Sequence, residues 1–163
     1  MNVFYLDHDT KLCSHYHNDK HCVKMILEYA QLLSTAHRIL DGPYTHSSVY
    51  KATHIKHPSA IWARDNKSNY QWLYKLFIDL SNEYTYRYGK THLSYTKLHK
   101  ILETPPAIIP DGEFTQPTPA MPDYCKYPGD SLSSYRNYYI KEKSHLAKWS
   151  KRPVPKWYER NYN

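Results

Sequence analysis

Seven of the eleven prolines in this 163-residue chain fall between residues 104 and 130: Pro105, Pro106, Pro110, Pro117, Pro119, Pro122 and Pro128. Each fixes φ and removes a backbone donor, so no helix or central strand survives that density. The regular structure must therefore lie on either side of the segment. A stretch this long without regular structure inside one domain is usually functional or mobile. Its apolar members Ile108, Ile109, Phe114 and Met121 predict that it is pinned to the body.

Outside that segment the periodicity is helical. Asp9 or Thr10 can cap a short helix over 10–17, and Asp19 is a good N-cap for a long one reaching Leu40. Val23, Ile26, Leu27, Ala30, Leu33 and Leu40 recur at helical spacing as an apolar stripe. Lys20, His21, Lys24, Glu28, Gln31 and Thr35 fall opposite it as a polar face. Asp41-Gly42-Pro43 stops the helix. Residues 43–58 read as a connection with at most one helical turn. Ser59 can cap a second long helix running to Tyr88, buried along Trp62, Leu73, Leu76, Phe77, Leu80 and Tyr84, with Gly89 just past its end. Shorter helices fit 93–103 and 131–149. Residues 2–6, Asn-Val-Phe-Tyr-Leu, suit a short strand or an extended arm on the core. The expectation is one mostly α domain over 1–163, with a proline-rich loop at 104–130 and a basic aromatic tail at 150–163.

Length allows one sizeable core and not two. Lys and Arg number 22 against 15 Asp and Glu, for a formal charge of +7. That balance suits a polyanionic partner and equally an ordinary basic protein. Tyr occurs 18 times against 3 Phe, and its hydroxyl wants a partner even when the ring is buried. This predicts a polar, aromatic-lined surface or groove, unless it reflects compositional drift alone. The three cysteines, Cys13, Cys22 and Cys125, include no CxxC pair and suggest no disulfide framework. No run approaches the roughly 18–20 apolar residues that span a bilayer, and the opening lacks a basic leader. A cytoplasmic protein without a membrane partner is expected. Oligomeric state is open.

Four constellations have chemical potential. His15, His17, Asp19, His21 and Cys22 crowd into eight residues, and His17 and His21 are spaced to share a metal on one helix. No HExxH-like signature accompanies them, and polar histidines at a helix start are the simpler reading. Neither a metal nor another cofactor is expected. Lys20, His21, Lys24 and Glu28 share about a third of a helix circumference. They could supply phosphate anchors, an amine nucleophile and proton carriers, or form a solvated face with an ordinary Lys24–Glu28 pair. Asn66, Asn69 and Arg87 interrupt an apolar stripe. They either satisfy loops that cover them or line a pocket for a base or phosphate, with Arg64, Lys90 and His92 as neighbours. In the tail, Trp157 and Tyr158 alternate with Lys151, Arg152, Lys156 and Arg160, a pattern of stacking rings and phosphate-neutralising cations. A C-terminal arm docked on the core has the same composition.

The layout resembles the small helical pyrimidine-dimer DNA glycosylases called endonuclease V. The matching stretches are Asn2 to Leu6, Asp19 to Leu40, His57-Pro58 leading into Trp62 through Arg87, and Pro155-Lys156-Trp157-Tyr158. They cover about half the chain by order and spacing. Asp19-Lys20-His21 with Lys24-Met25 also looks like a motif of uncharacterised phage-borne proteins. The glycosylase resemblance implies a helical fold, affinity for DNA, and attack by an N-terminal α-amine beside a helix glutamate. Position 2 is Asn here, after which Met is usually retained. Lys20-His21 stand where that glutamate belongs, and Glu28 follows two turns later.

These readings converge on a DNA-binding protein, with double-stranded DNA the expected partner and base excision its candidate chemistry. Lys20 or Lys24 would be the nucleophile, and His21 or Glu28 the proton carrier. His17, Arg64, Asn66, Asn69, Arg87, Lys90 and His92 would hold the base and phosphates. Two alternatives use the same residues. One is an enzyme acting on a nucleotide or other small phosphorylated molecule, with 104–130 as its lid. The other is a non-enzymatic adaptor for nucleic acid or a host protein.

Overall fold

The computed structural model describes residues 1–162, with side chains through Glu159. Seven α-helices carry it: α1 (Thr10–Tyr16), α2 (Asp19–Asp41), α3 (Pro58–Asp65), α4 (Lys67–Tyr88), α5 (Leu93–Leu102), α6 (Ser131–Glu142) and α7 (Lys156–Tyr162). There is no strand among the described residues, and the fold is mostly α. The two long helices, α2 and α4, pack on each other. They are flanked by α1 on α4, α3 on both, and α5 on α2. Residues 3–6 take the arm alternative: Val3, Phe4, Tyr5 and Leu6 are all buried beside these helices.

The first long helix is displaced from expectation by one residue and by part of a turn. Asn18, not Asp19, is the N-cap, its side chain accepting from the His21 N–H at 2.8 Å. Asp19 is thereby released to bind elsewhere. Val23 and Leu27, expected in the buried stripe, are exposed, whereas His21, Cys22, Met25, Tyr29 and Leu32 are buried. The helix carries two partly overlapping apolar arcs, and neighbours on several sides select Met25, Tyr29 and Leu32 over Val23 and Leu27.

The second expected helix is two. Asn66 is fully extended (φ −156°, ψ 167°) and breaks 58–88 into α3 and α4. His57 caps α3 by accepting from the Ser59 N–H, with Pro58 in the first turn. Asn66 caps α4 by accepting from the Asn69 N–H, and its amide donates to the Glu113 carbonyl. Asn69, with no exposed surface, donates to the Trp62 carbonyl and Thr115 Oγ1 and accepts from the Thr115 N–H. The two amides thus satisfy the loop that covers them. Gly112 lies so close that a Cβ there would sit 2.8 Å from Asn66 Cβ. Gly89 closes α4 in the left-handed conformation (φ 68°), its N–H donating to Thr85.

Asn69→Asp keeps the acceptor but turns both donors into carboxylate oxygen facing the Trp62 carbonyl. It is expected to cost about 2 kcal/mol or more, read as a lower urea midpoint with faster proteolysis within 110–115. A midpoint matching the native protein's would remove Asn69 as the anchor of that loop.

The helix expected over 131–149 ends at Glu142. A short 3₁₀ turn at Ser144–Leu146 follows, and the chain then crosses the start of α2, where the Asp19 N–H donates to the Lys148 carbonyl at 2.8 Å. No local breaker forces this exit. It is set by tertiary partners, because Trp149 is buried and donates to the Tyr16 carbonyl while Ser150 binds Asp19.

Candidate functional site

The start of α2, the 144–148 segment and the end of α4 enclose a groove of about 580 Å³. Its walls are Lys20, Val23 and Lys24 from α2, Tyr88 from α4, and His145, Leu146, Ala147 and Lys148 from the crossing segment. Lys20, Val23 and Lys24 project together because residues three and four apart share a helix face. Val23 is 44% exposed and Lys24 64%. Lys20 and Lys148 are exposed and form no ion pair among the described residues. Lys24 Nζ lies 3.8 Å from a Glu28 carboxylate oxygen, beyond hydrogen-bond distance, with the lysine exposed and the glutamate largely covered.

The one carboxylate lining the groove is already committed. Asp19 Oδ1 accepts from the Ser150 N–H at 2.8 Å and from Arg87 at 3.0 Å, and Oδ2 accepts from the Ser150 hydroxyl at 2.5 Å. Burial alone would raise this carboxyl, but the Ser150 and Arg87 hydrogen bonds outweigh it and hold its pKa below the usual range. Burial pushes the neighbouring Tyr88 phenol up to about 12, with Asp19 adding to the effect.

Lys20 and Lys24 are therefore brought together, while the other expected site residues lie elsewhere. His21 and His17 are corrections: both are buried, and neither belongs to an exposed polar face. Each ends a relay that starts at a backbone donor. The Phe4 N–H donates to the Tyr29 hydroxyl (3.2 Å), which donates to His17 Nε2 (2.7 Å), leaving Nδ1–H to donate to the Cys13 carbonyl (2.7 Å). The Asn18 N–H donates to the Tyr139 hydroxyl (3.3 Å), which donates to His21 Nδ1 (2.6 Å). The His21 ring also stacks on Phe4 with centroids 4.1 Å apart. Both imidazoles accept a hydrogen bond and are neutral. Burial lowers His17 to about 4, and burial with nearby His17, Lys143, Lys24 and His145 lowers His21 to about 2. A proton carrier at neutral pH needs a pKa near 7, which His21 lacks.

Arg87 lies at the centre of a buried ionic network and does not face a ligand pocket. Its guanidinium, with no exposed side-chain surface, donates to Glu83 (2.8 Å), Asp19 (3.0 Å) and the His15 carbonyl (3.0 Å). Arg152 forks onto the same Glu83 at 2.8 and 3.0 Å and lies over the Tyr86 ring. Burial pulls Glu83 upward, and the two arginines pull its pKa below the carboxylate norm. Arg152 is thus anchored inward. Trp157 packs against Tyr16, Tyr139 and Arg136, and Tyr158 is buried on Trp149. The tail takes the docked-arm alternative in these three residues. Lys151 donates to the Tyr86 carbonyl, and Lys156 is exposed. The Arg160 side chain lies outside the described residues.

Asn66 and Asn69 hold the proline-rich loop, and Arg64 donates to the Ile55 carbonyl. His92 caps α5 by accepting from the Ser94 N–H, and Lys90 is an exposed residue of the α4–α5 turn. None of these lines the groove, and neither does any residue of 104–130. Glu28 stands one turn beyond Lys24, with one carboxylate oxygen 3.8 Å from the Met1 amine and the other buried without a hydrogen-bond partner.

Sequence reasoning missed His145, which stands within a span expected to be helical, and it grouped Lys148 with the cations of the tail and not with Lys20 and Lys24. Among the described residues, no three His, Cys, Asp or Glu side chains are placed to hold a metal ion, and no helix is long and apolar enough to cross a membrane.

No family model, curated protein or solved structure matches the chain. Functional inference therefore rests on the groove itself.

Proposed function

We propose that the protein binds nucleic acid, DNA in the first instance, through the α2 groove. One observation carries the reading. Lys20, Lys24, Lys148 and His145 share a single recess whose only carboxylate, Asp19, is neutralised by Arg87 and Ser150. Lysines in excess of the local counter-charge, with Glu28 3.8 Å from Lys24, attract a polyanion, whose condensed counterions are released on binding. The net charge of +7 adds long-range attraction.

The triple variant Lys20→Ala/Lys24→Ala/Lys148→Ala is expected to bind DNA at least tenfold more weakly at moderate salt. The slope of log affinity against log salt should fall by about two to three, near 0.9 for each lost phosphate contact. Fluorescence anisotropy across a salt series reads both quantities. Alanine at exposed Lys51, Lys56 and Lys75 is the control for net charge. If the control weakens binding as much as the groove variant, the groove is not the site.

Base excision is a second reading, favoured by Glu28. Its carboxylate lies between two amines, 3.8 Å from Lys24 Nζ and 3.8 Å from the Met1 nitrogen, with one oxygen short of partners. A neutral amine would attack the sugar C1′ as the base departs with the glycosidic electron pair and a proton from the glutamic acid. Ring opening then moves one amine proton to O4′ and leaves an iminium. Borohydride reduction of that iminium would fix the strand to the protein, and peptide mapping would locate the bond. An adduct at Lys20, Lys24 or Met1 supports this reading. Failure to trap one on lesion-bearing duplexes that the protein demonstrably binds removes it and leaves the binding reading intact.

A further inference from the structure

The groove's lining is of two kinds. Lys20, Lys24 and Lys148 share it with the apolar Val23, Leu146 and Ala147 and with Tyr88. Val23 is 44% exposed and Tyr88 36%, and Leu27, one turn further along the same face of α2, is 41% exposed. Exposed apolar side chains scattered singly have no meaning, but several lining one recess mark a contact surface.

Intact duplex suits the lysines and not the apolar and aromatic lining. Its bases are stacked inside, and it presents charged phosphates and sugar edges to a protein surface. Seated here, it would leave Val23, Leu146 and the Tyr88 ring against phosphate oxygens or water. An opened strand offers both chemistries at once, with phosphates for Lys20, Lys24 and Lys148 and an unstacked base for Tyr88 and the aliphatic side chains beside it. A cationic track with an aromatic platform is the general arrangement for single strands. The docked tail strengthens this point. Trp157 and Tyr158 are engaged in packing, and Tyr88 is the tyrosine that lines the cationic recess.

We infer that the α2 groove takes an unstacked nucleic-acid strand, single-stranded or locally opened, in preference to intact duplex, with Tyr88 as the base-stacking residue. This rests on the nucleic-acid reading above and narrows its substrate class.

The test uses the full chain, a fluorescein-labelled 20-nucleotide single strand, and the same strand annealed to its complement, in one buffer. The single strand is expected to bind at least tenfold more tightly. Tyr88→Ala should weaken single-strand binding by about tenfold, as loss of one stacking contact does, while duplex affinity stays within twofold. Tyr88→Phe, which retains the ring, should bind single strands as the native protein does. Illuminating the native protein with an iodouracil-substituted strand should place the crosslink on Tyr88, a readout that does not depend on any variant folding. Equal or tighter duplex binding, or crosslinks confined to residues outside the groove, would overturn the inference and leave the nucleic-acid reading standing. Absence of binding to either probe at low salt would remove both.

Discussion

Arg87→Ala is expected to lower the unfolding free energy by about 3–5 kcal/mol, the range for breaking a buried ion pair from one side. The guanidinium has no exposed surface and joins three elements: Glu83 on α4 itself, Asp19 at the start of α2, and the His15 carbonyl near the end of α1. Removing it leaves Glu83, 2% exposed, with Arg152 as its hydrogen-bonded cation and His15 Nε2 3.7 Å away, and strips Asp19 of its charged partner. For a chain of this size the melting temperature should fall by roughly 10 °C. Arg152→Ala should cost less, because its side chain is 26% exposed and water can replace it. The double variant Arg87→Met/Glu83→Leu should recover much of the loss, since the expensive state is a buried charge without a partner and not the missing pair itself. Urea unfolding checks all three. A loss under about 1 kcal/mol for Arg87→Ala would mean that water reaches the network, and the account of how α1, α2 and α4 are locked would fail.

The same network explains why the candidate site was only half legible in the sequence. Lys20 and Lys24 were readable, because a helix places i and i+4 side by side whatever surrounds it. Arg87, Asn66 and Asn69 were readable as anomalies on an apolar stripe, and the alternative that they satisfy neighbouring groups is the one the fold takes. Which of two overlapping arcs of α2 turns inward was not readable. That choice depends on Tyr139 and Phe4, the first 118 residues away from His21 and the second on an arm with no periodicity of its own. The break at Asn66 was hidden for a similar reason. An asparagine in mid-helix is tolerable, and only the loop backbone at Gly112 to Thr115 makes capping worth more than continuity. The groove's far wall was least legible, because 144–148 leaves its helix to meet Asp19 through a contact that no local signal encodes. Helix existence and the end signals at Gly42 and Gly89 follow from local chemistry. The faces that helices present to one another do not.

Stability is expected to fall steeply as pH drops below about 6.5, before most carboxylates titrate. His17 is lowered to about 4 and His21 to about 2 in the folded protein, burial being the largest cause in each. The unfolded chain takes up protons on these rings near pH 6.5. The folded state does not, so it is penalised from that pH down to each folded value. Each ring contributes about 1.4 kcal/mol per pH unit in that window, so the pair removes about 4 kcal/mol between neutrality and pH 5. The groups around them do not reverse the sign. The Cys13 carbonyl and Glu83 favour and Arg87 opposes charging of His17, while His17, Lys143, Lys24 and His145 all oppose charging of His21. His15, His37, His57 and His92 are also lowered by burial and act in the same direction. Asp19 and Glu83, both depressed, add their loss at more acidic pH. Urea midpoints measured from pH 7.5 to 4.5 give the slope directly. His21→Asn places an acceptor near the Nδ1 position and does not titrate. It should be less stable at pH 7, having lost the ring stacked on Phe4, yet its slope should be shallower by about one proton. The same holds for His17→Gln, whose amide oxygen can accept from Tyr29. If both variants keep the native slope, these two imidazoles are not the groups that make acid unfold the protein, and the buried relays through Tyr29 and Tyr139 have no part in its pH response.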